Sequence, residues 1–457
     1  MATFSIENFG CRATESDAAA LRGRLLAGGL ELVHDHARAN VVVLNTCTVT
    51  AAADSQTREA VRKIHRVNPG AQIVLTGCYA QRAPEELAAL EGVTLVVGNS
   101  HQTEIPSLLG QFAAGVDPES ARAGQFVPLA ELHSDSMSLA RGPAKILTGD
   151  IFSQSLLSIA PSEDFIAGRT RPILKIQDGC NNRCSYCVIP FVRGRSRSLA
   201  PEAVVAEIRK LIESGAKEVV LSGINLGSYG RDLEPKARLH DLVGRILAET
   251  GLDQVRFSSI EPQDVTEDFV ALVASSARIA PHFHVPLQSG SNRILRAMRR
   301  WYRAEHYGER IRRIRRCVPD AAIGADVIAG FPGETDEDFE ETVRLIEELP
   351  FTYLHVFSFS ARPGTEAWKL GGRVEPPEVR ERARRLRRIA QEKVAAFRAS
   401  QSGKRLRALT LARSGADWTE ALTGNYLKVR IPGHWPANQW HSASIERATS
   451  EFAGVSE

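Results

Sequence analysis

Short apolar runs alternate with amphipathic helical stretches over most of the chain. In the first hundred residues, apolar runs predict strands over 40–45, 72–76 and 93–97, with helices between them. Strands that alternate with helices indicate a parallel sheet with crossover helices. We therefore predict an open parallel α/β domain over residues 1–111.

The same alternation returns after Arg169 and becomes more regular. Six apolar runs predict strands here, over 173–177, 218–221, 254–257, 282–286, 323–328 and 354–359. Helical stretches follow each of the first five runs. Six strands with intervening helices favour a partial (β/α)6 barrel over residues 169–400. An open doubly wound sheet is the alternative, because periodicity alone does not separate the two.

Two segments of the chain lack this alternation. Residues 112–168 are rich in Gly, Ser, Pro and Ala with weak periodicity, which predicts a linker or insertion. Residues 401–457 contain short apolar runs over 406–411, 423–430 and 442–445, separated by Gly, Pro and Asn. This pattern predicts a small all-β barrel at the C-terminal end.

The composition is that of an ordinary globular protein. The chain has 457 residues, of which 43% are hydrophobic and 24% charged. This composition excludes a protein that is disordered throughout. No run approaches the ~20 apolar residues of a membrane helix, and the first residues lack the pattern of a signal peptide. We therefore expect a cytoplasmic protein without a membrane partner.

The net charge of +3 hides an uneven distribution of basic residues. Between Glu375 and Arg407 the chain carries eleven basic and four acidic residues. Such a strip is either a solvated helix face or a surface for a polyanion. The candidates for contacts with a polyanion are Arg193, Arg195, Arg384, Arg385, Arg387 and Arg388.

The densest chemical signal is the C-x3-C-x2-C arrangement of Cys180, Cys184 and Cys187, directly after the first barrel strand. Three thiolates on one loop can hold three corners of an iron–sulfur cluster and leave its fourth iron open. A structural zinc site is less favoured, because it normally takes four ligands and no fourth Cys or His lies at a suitable spacing. The position suits catalysis, since barrels carry their active sites at the C-terminal ends of strands.

Three further cysteines, Cys11, Cys47 and Cys78, follow successive strands of the N-terminal sheet. Ligands of open α/β sheets collect outside the carboxyl ends of the strands, so these residues could converge. Taken alone, each could equally be an ordinary buried thiol. The seventh cysteine, Cys317, lies outside every motif and is predicted to be structural. An odd number of cysteines without a secretion signal argues against a disulfide framework.

The cysteine loop, with Tyr186 before its third cysteine, resembles the signature of the radical SAM superfamily. The resemblance implies a [4Fe-4S] cluster on the three cysteines and S-adenosylmethionine (SAM) bound to its open iron. It implies no catalytic side chain, because the cofactor carries the chemistry. Residues at the strand ends fit SAM contacts, although each alone also suits a turn or helix start: Tyr186, Ser222, Gly223, Asn225, Ser259, Glu261, Gln288 and Asp326.

A narrower resemblance covers most of the chain. Phe9-Gly10-Cys11, Asn45-Thr46-Cys47-Thr48-Val49-Thr50 and Thr76-Gly77-Cys78-Tyr79-Ala80-Gln81 are similar to the cysteine motifs of the methylthiotransferases. That resemblance implies a second, auxiliary [4Fe-4S] cluster on Cys11, Cys47 and Cys78. It also implies that the C-terminal barrel is an RNA-binding module of the TRAM type.

These strings, with 174–182, are most similar to the branch that acts on N6-threonylcarbamoyladenosine at tRNA position 37. The resemblance implies transfer of a methylthio group to C2 of that nucleoside in the anticodon stem-loop, with an electron donor of the flavodoxin or ferredoxin type. Three alternatives stay open. They are action on isopentenyladenosine-37 of tRNA, action on a ribosomal-protein aspartate, and a non-catalytic RNA-binding protein with a structural metal.

Overall fold

A computed structural model describes residues 2–113, 144–154, 157, 170–448 and 453–456. Its chain divides into two compact units. The first unit comprises Met1–Asp164, Asp178–Asn182 and Cys187–Arg197, and the second comprises Phe165–Gln177, Arg183–Tyr186 and Ser198–Glu457. Among the described helices, none has the length and apolar character needed to cross a membrane.

The first unit is built on a six-stranded sheet. Its strands are β1 (Thr3–Asn8), β2 (Glu31–Leu32), β3 (Val41–Thr46), β4 (Gln72–Gly77), β5 (Val93–Gly98) and β6 (Lys145–Leu147). They pair in parallel in the order β2-β1-β3-β4-β5-β6. The order reverses between β1 and β3, and open α/β sheets bind ligands at such a switch point. The predicted parallel sheet is confirmed.

Helices cover both faces of this sheet: α1 (Arg12–Ala27), α2 (Ala51–Val67), α3 (Cys78–Arg82), α4 (Pro84–Ala88) and α5 (Ile105–Ala113). Successive residues of β3 point to opposite faces. Val42 belongs to an apolar cluster with Val61 of α2, whereas Val43 belongs to a second cluster with Leu21 of α1. Burial on both faces explains why this strand is a continuous apolar run.

The segment predicted to be a linker, residues 112–168, lies mostly outside the described residues. Among its described residues, 144–154 contribute β6 to the edge of the sheet and a short 3₁₀ turn over Ile151–Ser153. This strand was not predicted, because it is only three residues long.

The next part of the chain forms a partial barrel. Its elements are β7 (Ile173–Asp178), α6 (Ile189–Arg193), β8 (Arg197–Ser198), α7 (Pro201–Glu213), β9 (Glu218–Gly223), α8 (Leu239–Glu249), β10 (Gln254–Phe257), α9 (Glu267–Ser275), β11 (His282–His284), α10 (Asn292–Ala297), α11 (Ala304–Cys317), β12 (Ala322–Ala329), α12 (Asp336–Glu348) and β13 (Tyr353–Ser358).

One sheet has the order β10-β9-β7-β8 and another the order β11-β12-β13. A parallel bridge between Ser259 and His284 connects them. Apart from the two-residue edge strand β8, the strands therefore lie side by side in chain order, β7-β9-β10-β11-β12-β13. The strand order does not reverse, as it would in a doubly wound sheet. The partial (β/α)6 barrel is confirmed over the doubly wound alternative.

A long helix, α13 (Pro376–Ala399), leads to a closed five-stranded barrel. Its strands are β14 (Arg405–Ser414), β15 (Trp418–Thr423), β16 (Lys428–Pro432), β17 (Trp440–Ala448) and β18 (Ala453–Ser456). The predicted single strand over 423–430 is wrong. Thr423 ends β15, residues 424–427 form a tight turn with Tyr426 in the left-handed region (φ 64°), and residues 428–430 belong to β16. Gly424 and Asn425 are turn formers, and they outweigh the flanking apolar residues.

This turn packs against the base of the partial barrel. The ring of Tyr426 stacks on His282 with centroids 4.4 Å apart. Arg256 of β10 donates hydrogen bonds to the backbone oxygens of Gly424 (2.9 Å) and Thr423 (3.2 Å), and also to the carboxylate of Glu218 (2.7 and 3.1 Å). The second unit thus contains a buried polar contact between its two barrels.

Candidate active site

Three cysteines of the first unit stand at the carboxyl ends of adjacent strands. Cys47 directly follows β3, Cys78 directly follows β4, and Cys11 lies between β1 and α1. A Cβ on Gly10 would lie 2.7 Å from the Cβ of Cys47, so the turn that carries Cys11 closes against Cys47. The three turns therefore lie beside one another at the switch point of the sheet.

The three thiols also influence one another electrostatically. Burial, together with the neighbouring charges of Cys78 and Cys11, raises the pKa of Cys47 to about 12. Burial raises the pKa of the Cys78 thiol as well. Thiolates crowded in this way need a cationic partner, and metal or cluster binding replaces their protons. The donor set fits an iron–sulfur cluster.

Arg193 is a buried cation beside these thiols. Its guanidinium donates hydrogen bonds to Asp17 (2.8 Å) and Asp178 (3.1 Å), and its charge and a further hydrogen bond offset part of the rise that burial causes in the pKa of the Cys78 thiol. The predicted RNA contact at Arg193 is wrong, because only 2% of its side chain is exposed and two carboxylates engage it. Arg195, two residues further along, is exposed.

The loop of the C-x3-C-x2-C motif begins at a glycine that the backbone requires. Gly179 has φ +69°, and a Cβ there would lie 2.0 Å from the backbone oxygen of Arg195. The amide of Cys180 donates to the oxygen of Gly194 (3.1 Å), and the Cys180 sulfur accepts from the amide of Asn182 (3.4 Å). Backbone contacts therefore fix the first cysteine of the motif.

In the second unit, Arg300 contacts the middle cysteine of the motif. Its Nη1 atom lies 3.4 Å from the sulfur of Cys184, and the same guanidinium is paired with Glu261. Only 4% of the Arg300 side chain is exposed. The sequence prediction missed Arg300, because nothing in the run Arg299-Arg300-Trp301 distinguishes the buried arginine from its exposed neighbour. Glu261, predicted to bind SAM, pairs with this arginine, and its contact with SAM stays a prediction.

The end of the motif is fixed at the C-terminal ends of the barrel strands. Tyr186 packs edge-on against Phe331 with centroids 6.5 Å apart. Phe331 follows β12, and Glu334 closes the same turn by accepting hydrogen bonds from Gly330 (2.7 Å) and Arg382 of α13 (2.9 Å). The Gly-Phe-Pro-Gly-Glu segment therefore supports the cysteine loop through packing.

Other predicted SAM contacts also lie at strand ends. Gly223 ends β9, where a Cβ would lie 2.9 Å from Oε1 of Gln177, and that same oxygen accepts the amide of Asn225 (2.8 Å). Gln288 takes a left-handed conformation (φ 67°) and accepts the amide of Ile328 through its carbonyl (2.9 Å). Ser222 is buried and Ser259 is exposed. The contacts with SAM that the sequence predicts for all of these residues stay predictions.

A polar cluster that was not predicted lies on the barrel strands. Among the described residues, His284, Asp326 and His355 are the group of three possible metal ligands whose donor atoms all lie within 4.8 Å of one another. The sequence prediction placed Asp326 with SAM and overlooked both histidines. The signal that could have revealed His284 is its spacing from His282, since the two histidines share one face of a strand.

Comparison with known proteins identifies the family. The family model described as "Radical SAM superfamily" matches residues 174–346 of this chain. The family model described as "Uncharacterized protein family UPF0004" matches residues 3–98. Threonylcarbamoyladenosine tRNA methylthiotransferase MtaB of Aquifex aeolicus is 37% identical over 94% of this chain and 97% of its own length. The chain belongs to the radical SAM methylthiotransferase family. The Bacillus subtilis protein of the same name is 34% identical over 95% of this chain and 91% of its own length.

A second kind of family member is similar over less of its length. The tRNA-2-methylthio-N(6)-dimethylallyladenosine synthase of Thermobifida fusca is 36% identical over 86% of this chain and 76% of its own length. Membership of the family confirms the predicted cofactors, SAM and [4Fe-4S] clusters.

Solved structures support the fold. The radical SAM methyltransferase TsrM from Kitasatospora setae, with cobalamin and a [4Fe-4S] cluster bound, superposes with a TM-score of 0.54 at 17% identity. The match covers 92% of this chain and 81% of that one. At this identity the likeness shows a shared α/β architecture.

Proposed function

We propose that this enzyme adds a methylthio group to C2 of N6-threonylcarbamoyladenosine at position 37 of tRNA. The observation that carries the proposal is the near full-length similarity to proteins of that name, over 94% and 95% of this chain. The two groups of cysteines, at the strand ends of the sheet and after β7, support it. Action on isopentenyladenosine or on a ribosomal-protein aspartate is less favoured.

In this proposal each group of cysteines holds one [4Fe-4S] cluster. Cys180, Cys184 and Cys187 leave one iron free for the methionine end of SAM. Cys11, Cys47 and Cys78 hold the auxiliary cluster. When bound, these groups would supply the radical that removes hydrogen from C2 and the methylthio group that takes its place, with its methyl group from SAM.

The side chains of the protein position and shield these groups. Arg300, anchored by Glu261, balances the negative charge of the Cys184 thiolate. Tyr186, Ser222, Gly223, Asn225, Ser259 and Gln288 contact SAM at the strand ends.

The substrate approaches as the anticodon stem-loop of a cytoplasmic tRNA. Arg195 of the first unit and Arg384, Arg387 and Arg388 of α13 are exposed and contact phosphates. Arg385 is engaged by Glu340 of α12 and contributes less to RNA binding. The C-terminal barrel binds RNA, and a flavodoxin or ferredoxin delivers the electron.

Mass spectrometry of tRNA nucleosides tests the substrate. In a strain that lacks the gene, 2-methylthio-N6-threonylcarbamoyladenosine should disappear while N6-threonylcarbamoyladenosine accumulates. The gene supplied in trans should restore the product. An unchanged level of the methylthiolated nucleoside would refute the proposed substrate.

Anaerobic reconstitution tests the cluster assignment. The intact chain should take up about eight irons, and Cys11→Ala combined with Cys47→Ala should reduce this to about four. Cys317→Ala is the matched control, because this cysteine is exposed at the end of α11 and outside both groups. If the double variant keeps the full iron content, the two-cluster assignment is wrong.

A further inference from the structure

Three polar side chains meet on the inner face of the partial barrel. The ring of Phe283 packs against Phe269 of α9, so the adjacent His284 points away from the helices and into the lumen. In the parallel register, Asp326 of β12 pairs with His355 of β13. We call His284, Asp326 and His355 the lumen cluster.

Hydrogen bonds hold the lumen cluster together. Oδ1 of Asp326 lies 3.0 Å from Nε2 of His284 and 3.3 Å from Nδ1 of His355. The hydroxyl of Tyr353 lies 3.0 Å from Nδ1 of His284 and 2.8 Å from Nε2 of His282. Tyr353 therefore fixes the orientation of the His284 ring through Nδ1, and His284 in turn orients the carboxylate of Asp326 through Nε2.

The solvent exposure of the three side chains increases from β11 through β12 to β13. The exposed fraction of the side chain is 9% for His284, 23% for Asp326 and 58% for His355. Because Nδ1 of His355 faces Asp326, its other ring nitrogen lies on the far edge of an accessible ring. A ligand in the lumen can therefore meet an imidazole edge and a carboxylate side by side.

Asp326 is an ionised acceptor. Burial raises its pKa, but hydrogen bonds from His284 and His355 outweigh burial and hold the pKa below the ordinary aspartate value. Asp326 lies three residues before Ala329, where β12 ends. At ~3.3 Å per residue, the distance along the strand from Asp326 to the strand end is about 10 Å. Tyr186 of the cysteine loop packs against Phe331, just beyond that strand end. A nucleoside at the mouth of the barrel could reach the cluster with a substituent of a few bonds.

We propose that the lumen cluster binds the threonyl part of the target nucleoside, an inference that rests on the proposed function. In the complex His355 carries protons on both ring nitrogens, so that it donates Nδ1–H to Asp326 and Nε2–H to the threonyl carboxylate, while Asp326 accepts a hydrogen bond from the threonyl hydroxyl. A nucleoside with an apolar substituent would desolvate both groups and offer neither of them a hydrogen bond. Sites that hydrogen-bond a substrate group reject analogues lacking it by as much as about 10⁴- to 10⁵-fold. The cluster is then a specificity determinant of this enzyme.

The test uses the holoenzyme with both clusters and three synthetic anticodon stem-loops. These RNAs are identical except at position 37, which carries threonylcarbamoyladenosine, isopentenyladenosine or adenosine. The variants are His355→Ala, His355→Gln and Asp326→Asn, with His306→Ala as control, because His306 is an exposed histidine on α11. Iron content and thermal unfolding verify that each variant is folded and loaded.

We expect His355→Ala to weaken binding of the threonylcarbamoyl RNA by about 10- to 100-fold, as for loss of a charge-assisted hydrogen bond. Binding of the adenosine RNA should stay within about twofold, because it lacks the threonyl group. His355→Gln should recover part of the loss, since its amide still donates. His306→Ala should bind all three RNAs like the wild type.

Three outcomes would overturn the inference. One is an equal loss for all three RNAs in His355→Ala and Asp326→Asn, and another is no loss for any of them. The third is one equivalent of zinc or manganese, measured by elemental analysis, that the wild type retains and His355→Ala loses. Failure of the proposed function looks different, because the wild type itself would then not methylthiolate the threonylcarbamoyl RNA.

Discussion

Two buried arginines set the charge around the cysteines. Arg193 lies beside Cys78, and Arg300 lies beside Cys184. Each is held by carboxylates, Arg193 by Asp17 and Asp178 and Arg300 by Glu261. A guanidinium stays protonated even when buried, so it provides a permanent positive charge. Residues outside the cysteine motifs therefore determine the electrostatic potential at the sulfurs.

The charge of Arg193 should raise the reduction potential of the cluster on Cys11, Cys47 and Cys78. We expect Arg193→Met to lower the midpoint potential by about 60 mV or more, which is a tenfold change in the equilibrium of a one-electron couple. Arg193→Lys keeps the charge and should recover most of the shift. The measurement is a redox titration followed by electron paramagnetic resonance.

That titration uses a chain in which Cys180, Cys184 and Cys187 are replaced by alanine, so only the auxiliary cluster is present. Arg195→Met is the matched control, because Arg195 is exposed on the same segment. If Arg193→Met binds its cluster at an unchanged potential, Arg193 has only a structural role.

At the scale of elements, strand-to-helix turns place the cysteines. The apolar runs predicted these positions, because a strand buried on both faces must end where its apolar residues end. The sequence did not reveal the surroundings. Arg193 pairs with Asp17, which is 176 residues away, so its burial depends on long-range packing. The turn over 423–430 was missed because apolar residues on both sides of Gly424 resemble one strand.

The turn between β4 and α3 should tolerate only glycine at position 77. Gly77 has φ +98°, and a Cβ would lie 2.4 Å from the oxygen of Thr46, a backbone atom that cannot move aside. Gly77→Ala should therefore lower the thermal stability of the chain and reduce iron uptake by the neighbouring Cys78.

Gly29→Ala is the control for backbone conformation alone. Gly29 has φ +84° with no atom within 4 Å of the added Cβ, so it should cost only the roughly 1–2 kcal/mol of a left-handed residue. Thermal unfolding and iron analysis compare the two. Equal effects of both substitutions would mean that the contact with Thr46 is unimportant.

At the scale of the whole second unit, a buried arginine connects the two barrels: Arg256 forms an ion pair with Glu218 inside the partial barrel and donates hydrogen bonds to the backbone of the C-terminal barrel. Arg256 and Glu218 have no exposed side-chain surface, and Arg256 also bonds the turn that precedes Tyr426. Burial raises the pKa of Glu218, but the charge and hydrogen bonds of Arg256 outweigh it, so the pKa is lowered. The ionised Glu218 therefore stabilises the folded state. This contribution is fully present above the pKa of about 4.3 that a glutamate has in the unfolded chain, and it is lost as the pH falls toward the lower pKa of Glu218 in the folded protein.

Glu218→Gln should leave Arg256 buried without its counter-charge. We expect a loss of about 3 kcal/mol or more in the free energy of unfolding near neutral pH. The difference from the wild type should shrink below pH 4, where the wild-type carboxylate begins to lose its contribution. Glu202→Gln is the control, since Glu202 forms an exposed pair with Arg245. Denaturant unfolding at several pH values measures both, and a difference independent of pH would contradict the prediction.

The basic strip of α13 separates into structural and exposed arginines. Arg382 is buried against Glu334, and Arg385 is paired with Glu340. Arg384, Arg387 and Arg388 are exposed. The sequence predicted the strip but not this division, because the partners of the structural arginines lie near α12, more than forty residues earlier. Solvent-facing charge, rather than the net charge of +3, is what a tRNA would meet.

Replacing Arg384, Arg387 and Arg388 together by glutamine should weaken tRNA binding without lowering thermal stability. Each lost phosphate contact reduces the slope of log Kd against log salt concentration by about 0.7 to 0.9, so the slope should flatten by about two to three. The matched control replaces Arg209 of α7, Arg238 directly before α8 and Arg245 of α8, three arginines that pair with carboxylates outside the strip, and should leave the slope unchanged. Fluorescence anisotropy between 50 and about 300 mM salt gives the slopes. If the α13 variant keeps the wild-type slope, the strip is a solvated helix face and the tRNA binds elsewhere.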